Sequence, residues 1–455
     1  MDCVKASRFK NQELLKWTTN QWIFQEMQAM IDIKLIRADK DAVEKKLKTK
    51  DPEISLDPIV ALDERIRVIK MNVEELKASR NQLSKEIGER KREKKDASDL
   101  LKEVAGLGDK IGILDQELNA LEHELGQKLA SLPNIPRDGI KVSMDPKDNV
   151  CIKTVGEKRE FAFPFKNHVE LNERLGLFDF KRAAKISGSG WPAYRDMGAR
   201  LEWALLNYML DIHLENGFQM WMPPLLVRPD IMFGVGQLPK FEKQVFKLTD
   251  EDYQLYLIPT AEVALNGLLY DEILKEEELP KKFTAYTPCF RREAGAAGSQ
   301  ERGLIRMHQF NKVEMFCFAK PDQSDEIFEQ MMASAEMVLQ GLNLHYRNML
   351  LVTGDMSFAA AKTIDIEVYL PGQNRYYEVS SVSHCTDYQA RRSQIRYRHK
   401  EDKPELVHTL NGSGLATSRL MVALLENNQN EDGSVTLPVV LHKYLNGIKE
   451  LRPVC

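Results

Sequence analysis

Arginine, lysine and glutamate residues recur near the middle of the chain, where they could bind groups of opposite charge side by side. Arg291 and Glu293 lie two positions apart. A second run of polar residues follows, with Arg306, His308, Lys312 and Glu314. A guanidinium presents a rigid fork of donors that matches phosphate oxygens, whereas a carboxylate accepts hydrogen bonds from an amine. ATP together with an amino acid would satisfy both kinds of side chain.

Two strands are expected to position these side chains. Residues 284–293 (TAYTPCFRRE) and 302–318 (RGLIRMHQFNKVEMFCF) have the composition of strands, and the small residues 294–298 (AGAAG) fit a turn between them. Because side chains alternate between the faces of a strand, the charged residues of each strand should share a face. Ordinary charge on an exposed strand is the alternative interpretation of an isolated Arg-x-Glu.

Three other segments combine hydroxyl and charged residues. In residues 258–262 (IPTAE), Thr260 could simply cap a helix. Residues 378–381 (EVSS) read as a strand, and residues 411–419 (NGSGLATSR) read as a strand end, a glycine turn and a helix start. Arg419 near a helix N-terminus is unfavourable for the helix dipole, so an anionic ligand would account for it.

The composition limits the class of protein. The chain has 455 residues, 43% hydrophobic and 29% charged, with a formal net charge of −4. Two or three domains are expected at this length, and any nucleic-acid contact must come from local basic patches. The six cysteines are scattered without a C-x-x-C pair or zinc-ligand spacing, which indicates a reduced, cytoplasmic protein. No apolar run reaches the ~18 residues of a membrane span, so no membrane contact is expected.

The N-terminal part contains two heptad-like seams, which predict an antiparallel coiled-coil hairpin with each helix about 50 Å long. The first seam consists of Ile59, Leu62, Ile66, Ile69, Val73, Leu76, Leu83 and Ile87, interrupted at Arg80. The second consists of Leu100, Val104, Leu107, Ile111, Leu114, Leu118, Leu121, Leu125 and Leu132.

The connection between the seams is locally basic. It includes Arg90, Lys91, Arg92, Lys94 and Lys95. A solvated helix tip and a contact with a phosphate backbone are both consistent with these charges. Pro133 and Pro136 end the arm, since neither residue can donate a backbone hydrogen bond. We therefore expect an extension of unclear status at 1–29, with either Met1 or Met30 as the start, an arm at 30–135 and an α+β domain with an antiparallel sheet at 136–455.

These segments resemble a known family. The sequence PCFRREAG (288–295) followed by RGLIRMHQFNKVE (302–314) is similar to motif 2 of class II aminoacyl-tRNA synthetases, in the form found in bacterial-type seryl enzymes. Residues 411–419 resemble motif 3, and residues 217–224 resemble motif 1, which builds the homodimer interface in this class. Residues 258–262 look like the serine loop of the family.

The resemblance implies a role for each site residue. The catalytic residues would be Arg291, Glu314 and Arg419. Serine would contact Thr260, Ala261, Glu262, Arg291, Glu314 and Ser413. ATP would contact Arg291, Arg292, Glu293, Arg306, Glu378, Val379, Ser380, Ser381 and Arg419. Mg²⁺ would be bound by Glu378 and Ser381.

The implied reaction is attack of the serine carboxylate on the α-phosphorus of ATP, followed by transfer of serine to tRNA(Ser). The family leaves tRNA(Sec) open as a second acceptor, and it favours RNA contact for the basic tip of the arm. A paralogue that loads a carrier protein and a non-catalytic coiled-coil adaptor are the alternatives. Two positions depart from the family pattern. The turn at 298–303 is GSQERG where GRDTRG is usual, and His384 stands where asparagine is common.

Overall fold

The computed structural model of the protein describes residues 31–250, 254–293 and 303–454. These residues form two compact units. The unit that we call the body contains residues 133–454 and the short segment Thr49–Asp51, and the unit that we call the arm contains the described residues up to Lys48 together with Pro52–Leu132. The predicted extension at 1–29 lies outside the described residues.

Helices account for nearly all of the arm and for several layers of the body. The α-helices are Ile33–Ala38 (α1), Lys40–Lys48 (α2), Asp57–Arg92 (α3), Ser98–Ala130 (α4), His168–Leu175 (α5), Phe180–Ser187 (α6), Asp196–Glu215 (α7), Pro229–Gly234 (α8), Ala261–Gly267 (α9), Ser324–Gly341 (α10), Tyr388–Arg392 (α11) and Thr417–Asn427 (α12). Nowhere in the described ranges is a helix both long enough and apolar enough to cross a membrane.

The strands belong to the body. They are Val150–Val155 (β1), Gln219–Met220 (β2), Leu226–Val227 (β3), Lys247–Thr249 (β4), Gln254–Leu257 (β5), Ile273–Lys275 (β6), Lys281–Phe290 (β7), Gln309–Ala319 (β8), Tyr346–Leu350 (β9), Lys362–Leu370 (β10), Arg375–His384 (β11), Arg396–Arg398 (β12), Glu405–Leu406 (β13), His408–Ala416 (β14), Val435–Thr436 (β15) and Glu450–Leu451 (β16).

The arm consists mainly of the two predicted long helices, α3 and α4. Ile66, Ile69, Val73 and Leu121 are buried together between them, which confirms the seams. Lys70 pairs with Glu122 at 2.6 Å and Lys77 with Asp115 at 3.3 Å, so charged side chains flank the apolar contact. The predicted last seam residue, Leu132, lies beyond the end of α4 at Ala130.

An eight-stranded sheet forms the centre of the body within the described residues. Its strand order is β1-β9-β10-β11-β14-β8-β7-β2, and neighbouring strands are antiparallel except for β2 and β7. The helices α7 and α10 both contribute buried residues, such as Leu205, Met209, Phe328 and Met331, to the main apolar core. The α+β class with an antiparallel sheet is therefore confirmed.

The predicted strands at 284–293 and 302–318 are too long. β7 ends at Phe290 and β8 begins at Gln309, so Arg291, Glu293 and Arg306 lie outside the strands. Glu293 has φ +46°, a left-handed conformation that cannot continue a strand. The argument from alternating faces therefore applies within β8, to Lys312 and Glu314. It does not apply to the four residues outside the strands, which are Arg291, Glu293, Arg306 and His308.

The glycine turn predicted within 411–419 was also wrong, since β14 continues to Ala416 and α12 begins at Thr417. Gly414 lies in a β-bulge of β14, where a Cβ atom would come within 2.1 Å of Nε2 of His213. The His213 ring is buried and held by Ser334 Oγ at 2.8 Å from Nδ1. Gly414 therefore permits a close approach of strand and side chain.

We expect Gly414→Ala to lower the free energy of unfolding by about 1–3 kcal/mol, because the buried His213 ring would have to move. Thermal unfolding monitored by circular dichroism measures this change. Gly412→Ala is the matched control on the same strand, since its Cβ would meet the methyl groups of Val382 at 3.0 and 3.3 Å and that of Met331 at 3.4 Å, all farther away than the His213 ring is from the Gly414 position. An equal loss in both variants would contradict the close-approach argument.

Candidate active site

Two adjoining clefts open over the centre of the sheet, where β11, β14 and β8 lie side by side. The larger cleft has a volume of about 220 Å³ and the smaller about 170 Å³. They share four lining residues, namely Arg291, Lys312, Glu378 and Ser413. Ligands in the two clefts would therefore meet at a common wall.

A buried hydrogen-bond network lies in the larger cleft. Thr260 Oγ1 donates to Glu314 Oε2 at 2.8 Å and accepts from Lys312 Nζ at 2.7 Å. Lys312 also contacts the Glu314 carboxylate directly. All three residues are buried. Thr260 caps α9 as well, accepting from the Glu262 backbone N–H at 3.2 Å, so the same residue caps a helix and lines the cleft.

Glu262 adds a second carboxylate to this cleft. Its Oε1 accepts from Gln389 Nε2 at 2.6 Å and from Asn411 Nδ2 at 3.1 Å. Burial, together with the nearby charge of Glu314, raises the pKa of Glu262 to about 7. A cation next to Glu262 would stabilise the ionised form of its carboxylate, so the larger cleft is suited to an ammonium group.

Arginine side chains line the smaller cleft. The Arg291 guanidinium lies 5.1 Å from the centre of the Phe310 ring, and its Nε donates to the Pro259 carbonyl at 3.3 Å. Arg306 pairs with Glu293 at 3.2 Å, and Arg419 donates to the Glu378 carbonyl oxygen at 2.7 Å. Among the described lining residues, cationic side chains outnumber carboxylates, which favours an anion.

The residues expected to hold Mg²⁺ are close to a further carboxylate. Glu378 and Ser381 both line the larger cleft, and Asp365 pairs with Ser381 across the strands β10 and β11. Burial and the charge of Glu378 raise the pKa of Asp365, whose Oδ1 is buried and has no hydrogen-bond partner among the described residues. Hard oxygen donors of this kind suit Mg²⁺. The described residues contain no group of three or more His, Cys, Asp or Glu side chains placed to hold a metal.

Three of the expected site residues lie outside both clefts. Arg292 is exposed, and its backbone N–H pairs with the Gln244 carbonyl at 2.8 Å. Ala261 is buried in a second apolar core. Ser380 is buried, and its Oγ donates to the Ser413 carbonyl at 2.6 Å, so it connects β11 to β14. Val379, by contrast, lines the smaller cleft.

Several residues at the clefts have no role assigned from the sequence. Lys312 and Asn411 lie inside motifs, and the alternation of Lys312 with Glu314 was a usable signal. Gln389, which bonds to Glu262, and the cleft segment 357–359 lie outside every motif, so the sequence gives no signal for them. The unusual turn at 299–301 lies outside the described residues.

His384, the last residue of β11, is buried, and its Nδ1 accepts from the Thr386 backbone N–H at 3.1 Å. Burial lowers the pKa of His384 to about 3, so the ring is neutral. Its Nε2 has no hydrogen-bond partner in the described part of the chain, so the ring is satisfied at one nitrogen only.

Two family models match the chain. The model of the seryl-tRNA synthetase N-terminal domain matches residues 30–136, and that of the class II tRNA synthetase core domain (G, H, P, S and T) matches residues 245–428. The Serine--tRNA ligase of Chlamydia pneumoniae is 53% identical over 93% of this chain and 99% of its own length. The enzyme of the same name from Chlamydia felis is 53% identical over 91% and 98%.

Solved structures agree with the family models. The seryl-tRNA synthetase of Pyrococcus horikoshii, complexed with ATP, has a TM-score of 0.88 and 39% identity, covering 94% of this chain and 100% of its own. The cytoplasmic Serine-tRNA ligase of Naegleria fowleri, in complex with AMP, has a TM-score of 0.84 and 27% identity, covering 94% and 99%. The chain therefore belongs to the seryl-tRNA synthetases.

Proposed function

We propose that the chain activates L-serine with ATP in the two clefts and then transfers the serine to tRNA(Ser). The observation that carries this proposal is the distribution of charge. The larger cleft presents buried carboxylates and hydroxyls, the smaller cleft presents arginines, and Arg291 lines both. Charging of tRNA(Sec) stays a prediction of the family resemblance.

Serine is assigned to the larger cleft. Glu262 and Glu314 would accept from its ammonium group, and the hydroxyls of Thr260 and Ser413 would contact its polar side. A pocket built to hydrogen-bond a hydroxyl rejects an analogue without it by as much as ~10⁴-fold, because polar groups of the pocket then lose their partner. This chemistry supports discrimination against alanine.

ATP is assigned to the smaller cleft. Arg291 at the common wall would neutralise the α-phosphate, while Arg306 and Arg419 would contact the distal phosphates and Glu293 the adenine side. The serine carboxylate would attack the α-phosphorus in line, forming seryl-adenylate and releasing pyrophosphate. Positioning and neutralisation of charge are sufficient for such a step, so we assign no general base.

Mg²⁺ belongs to this proposal, with Glu378 and Ser381 as ligands. The unpartnered Oδ1 of the neighbouring Asp365 supports the assignment. When bound, the ion would neutralise phosphate charge on ATP.

A homodimer is also part of the proposal. The segment 217–224 contains β2, which is the last strand at one edge of the sheet. Met222 is 84% exposed and Trp203, on α7, is 57% exposed. Large apolar side chains this exposed are typical of protein–protein interfaces. A second copy of the chain would bury them.

The tip of the arm is proposed to contact tRNA. Lys91, Arg92 and Lys94 are exposed and form no ion pair within the part of the chain that the structure describes. Arg90 pairs with Glu86 and Asp99, and Lys95 pairs with Glu93, so these two are less available. Contacts with the phosphate backbone are the usual mode of recognition for helical RNA.

A cytoplasmic location completes the proposal, because Cys151, Cys289, Cys317 and Cys385 are all free thiols.

We expect Arg291→Ala to abolish serine-dependent pyrophosphate exchange, with a loss of at least about 10³-fold, because neutralisation of the α-phosphate would be lost. Arg292→Ala is the matched control, and its loss should stay below about tenfold since its side chain lines neither cleft. Exchange at a near-normal rate in Arg291→Ala would refute the assignment. Exchange by the wild type separates an active enzyme from an inactive adaptor, and transfer of serine to tRNA separates a ligase from a carrier-loading paralogue.

The serine KM should fall by about tenfold between pH 6 and pH 8, because Glu262 ionises as the pH rises through about 7 and its anion binds the ammonium group. Pyrophosphate exchange at saturating ATP across this range measures the change. Glu262→Gln should raise the serine KM and remove its dependence on pH. A flat profile in the wild type would show that Glu262 does not contact serine.

Reversing the three exposed charges of the tip, with Lys91→Glu, Arg92→Glu and Lys94→Glu together, should raise the KM for tRNA by at least about tenfold. Serine-dependent exchange without tRNA should be unchanged, since the substitutions lie in the arm. Aminoacylation kinetics at two salt concentrations measure the effect, and the variant should show the weaker dependence on salt. Unchanged charging would refute RNA contact at the tip.

A further inference from the structure

One wall of the larger cleft is a loop that runs from residue 351 to residue 361, between β9 and β10. Ser357, Phe358 and Ala359 of this loop line the cleft. Residues 357–361 are not part of a strand or a helix, and the sheet contacts their backbone at the end next to β10, where the Ala361 N–H donates to the His384 carbonyl at 2.8 Å. A wall of this kind keeps its shape only if other groups hold it in place.

Lys50 holds this loop through its backbone carbonyls. Its Nζ donates to the carbonyl oxygens of Ser357 at 2.6 Å, Ala360 at 2.9 Å and Phe358 at 3.3 Å. The Lys50 side chain is only 9% exposed. Lys50 lies between α2 and α3 in sequence but in the same compact unit as the loop.

Two further residues complete the support. Asn134 donates through its backbone N–H to the Phe358 carbonyl and through Nδ2 to the Ala359 carbonyl, both at 2.9 Å. The Arg137 backbone N–H donates to the Ala361 carbonyl at 2.9 Å. Every carbonyl oxygen from residue 357 to residue 361 therefore accepts a hydrogen bond from Lys50, Asn134 or Arg137.

The charge of Lys50 is unusual in this position. No carboxylate of the described residues lies within ion-pair distance of its Nζ, and burial lowers the pKa of Lys50 to about 7. A buried ammonium group without a carboxylate is unfavourable unless its hydrogens are bonded. Here the ammonium group donates to three carbonyl oxygens of one short loop. These hydrogen bonds hold the loop in place, and they also stabilise the buried charge.

We propose that Lys50 is a positioning residue for serine: by holding the loop 357–361, it fixes the wall of the larger cleft. This proposal rests on the assignment of that cleft to serine. Removing the ammonium group would leave the Ala360 carbonyl oxygen without its donor and would take one of two donors from the carbonyl oxygens of Ser357 and Phe358, so the wall would relax. Serine binding would then weaken, while ATP in the smaller cleft would be affected little, because no residue of the loop lines that cleft.

The test is serine-dependent pyrophosphate exchange by the full chain with Lys50→Met, which keeps an unbranched side chain without the ammonium group. We expect the serine KM to rise by about tenfold, with the ATP KM within about twofold of wild type and kcat within about threefold. Lys48→Met is the matched control, because Lys48 lies two residues away, is 44% exposed and pairs with Glu44. It should leave all three constants unchanged.

Glu262→Gln serves as the reference for the cleft itself. If it raises the serine KM and Lys50→Met does not, the role of Lys50 is refuted while the cleft assignment stands. If Glu262→Gln has no effect, the cleft assignment fails instead. A parallel rise of the ATP and serine KM in Lys50→Met would indicate general loss of structure and would also refute positioning. If Lys50→Met does not fold, Lys50→Gln replaces it: its neutral amide is one atom shorter and has two N–H donors for three carbonyl oxygens, so the serine KM should still rise by at least about threefold. A serine KM unchanged from wild type in Lys50→Gln would overturn the proposal.

Discussion

Lys312 and Glu314 form a buried ion pair on one face of β8, with Thr260 bonded to both side chains. Burying two charges is unfavourable unless their remaining hydrogen-bonding groups also find partners, and Thr260 supplies one such partner. Because Thr260 also begins α9, the same hydroxyl fixes the helix that carries Glu262. The positions of Glu314 and Glu262 in the larger cleft thus depend on a single network on the central sheet.

The charge of this network explains why two ligands of opposite sign can lie next to each other. Burial and the nearby charge of Glu314 raise the pKa of Glu262, so a cation beside this carboxylate would be favourable. Around the smaller cleft the excess charge is positive, because Glu293 and Glu378 only partly neutralise the arginines. Serine carries both an ammonium and a carboxylate group, and it would relieve the imbalance on each side of Arg291.

The fold class and the arm could be predicted because they depend on periodicity, as with the seams that meet at Ile69 and Leu121. The ends of β7 and β8 could not, because the left-handed backbone at Glu293 leaves no mark in the pattern of residue types. Glycine at 414 was misread for a related reason, since a turn and a close approach both require glycine. Gln389 and the loop 357–361 reach the clefts only through the packing of the body, which local sequence does not encode.

The hydrogen bonds that hold the loop 357–361 limit which parts of the chain can be exchanged between relatives. The core family model begins at residue 245, yet Lys50 and Asn134 lie within the range of the N-terminal domain model. A recombination event that exchanged the whole N-terminal domain between relatives would also exchange donors that hold a wall of the larger cleft. The two domains are therefore not independent modules for evolution or engineering, and a compatible exchange would have to join within the arm, retaining residues 49–51 and 133–137 of the recipient.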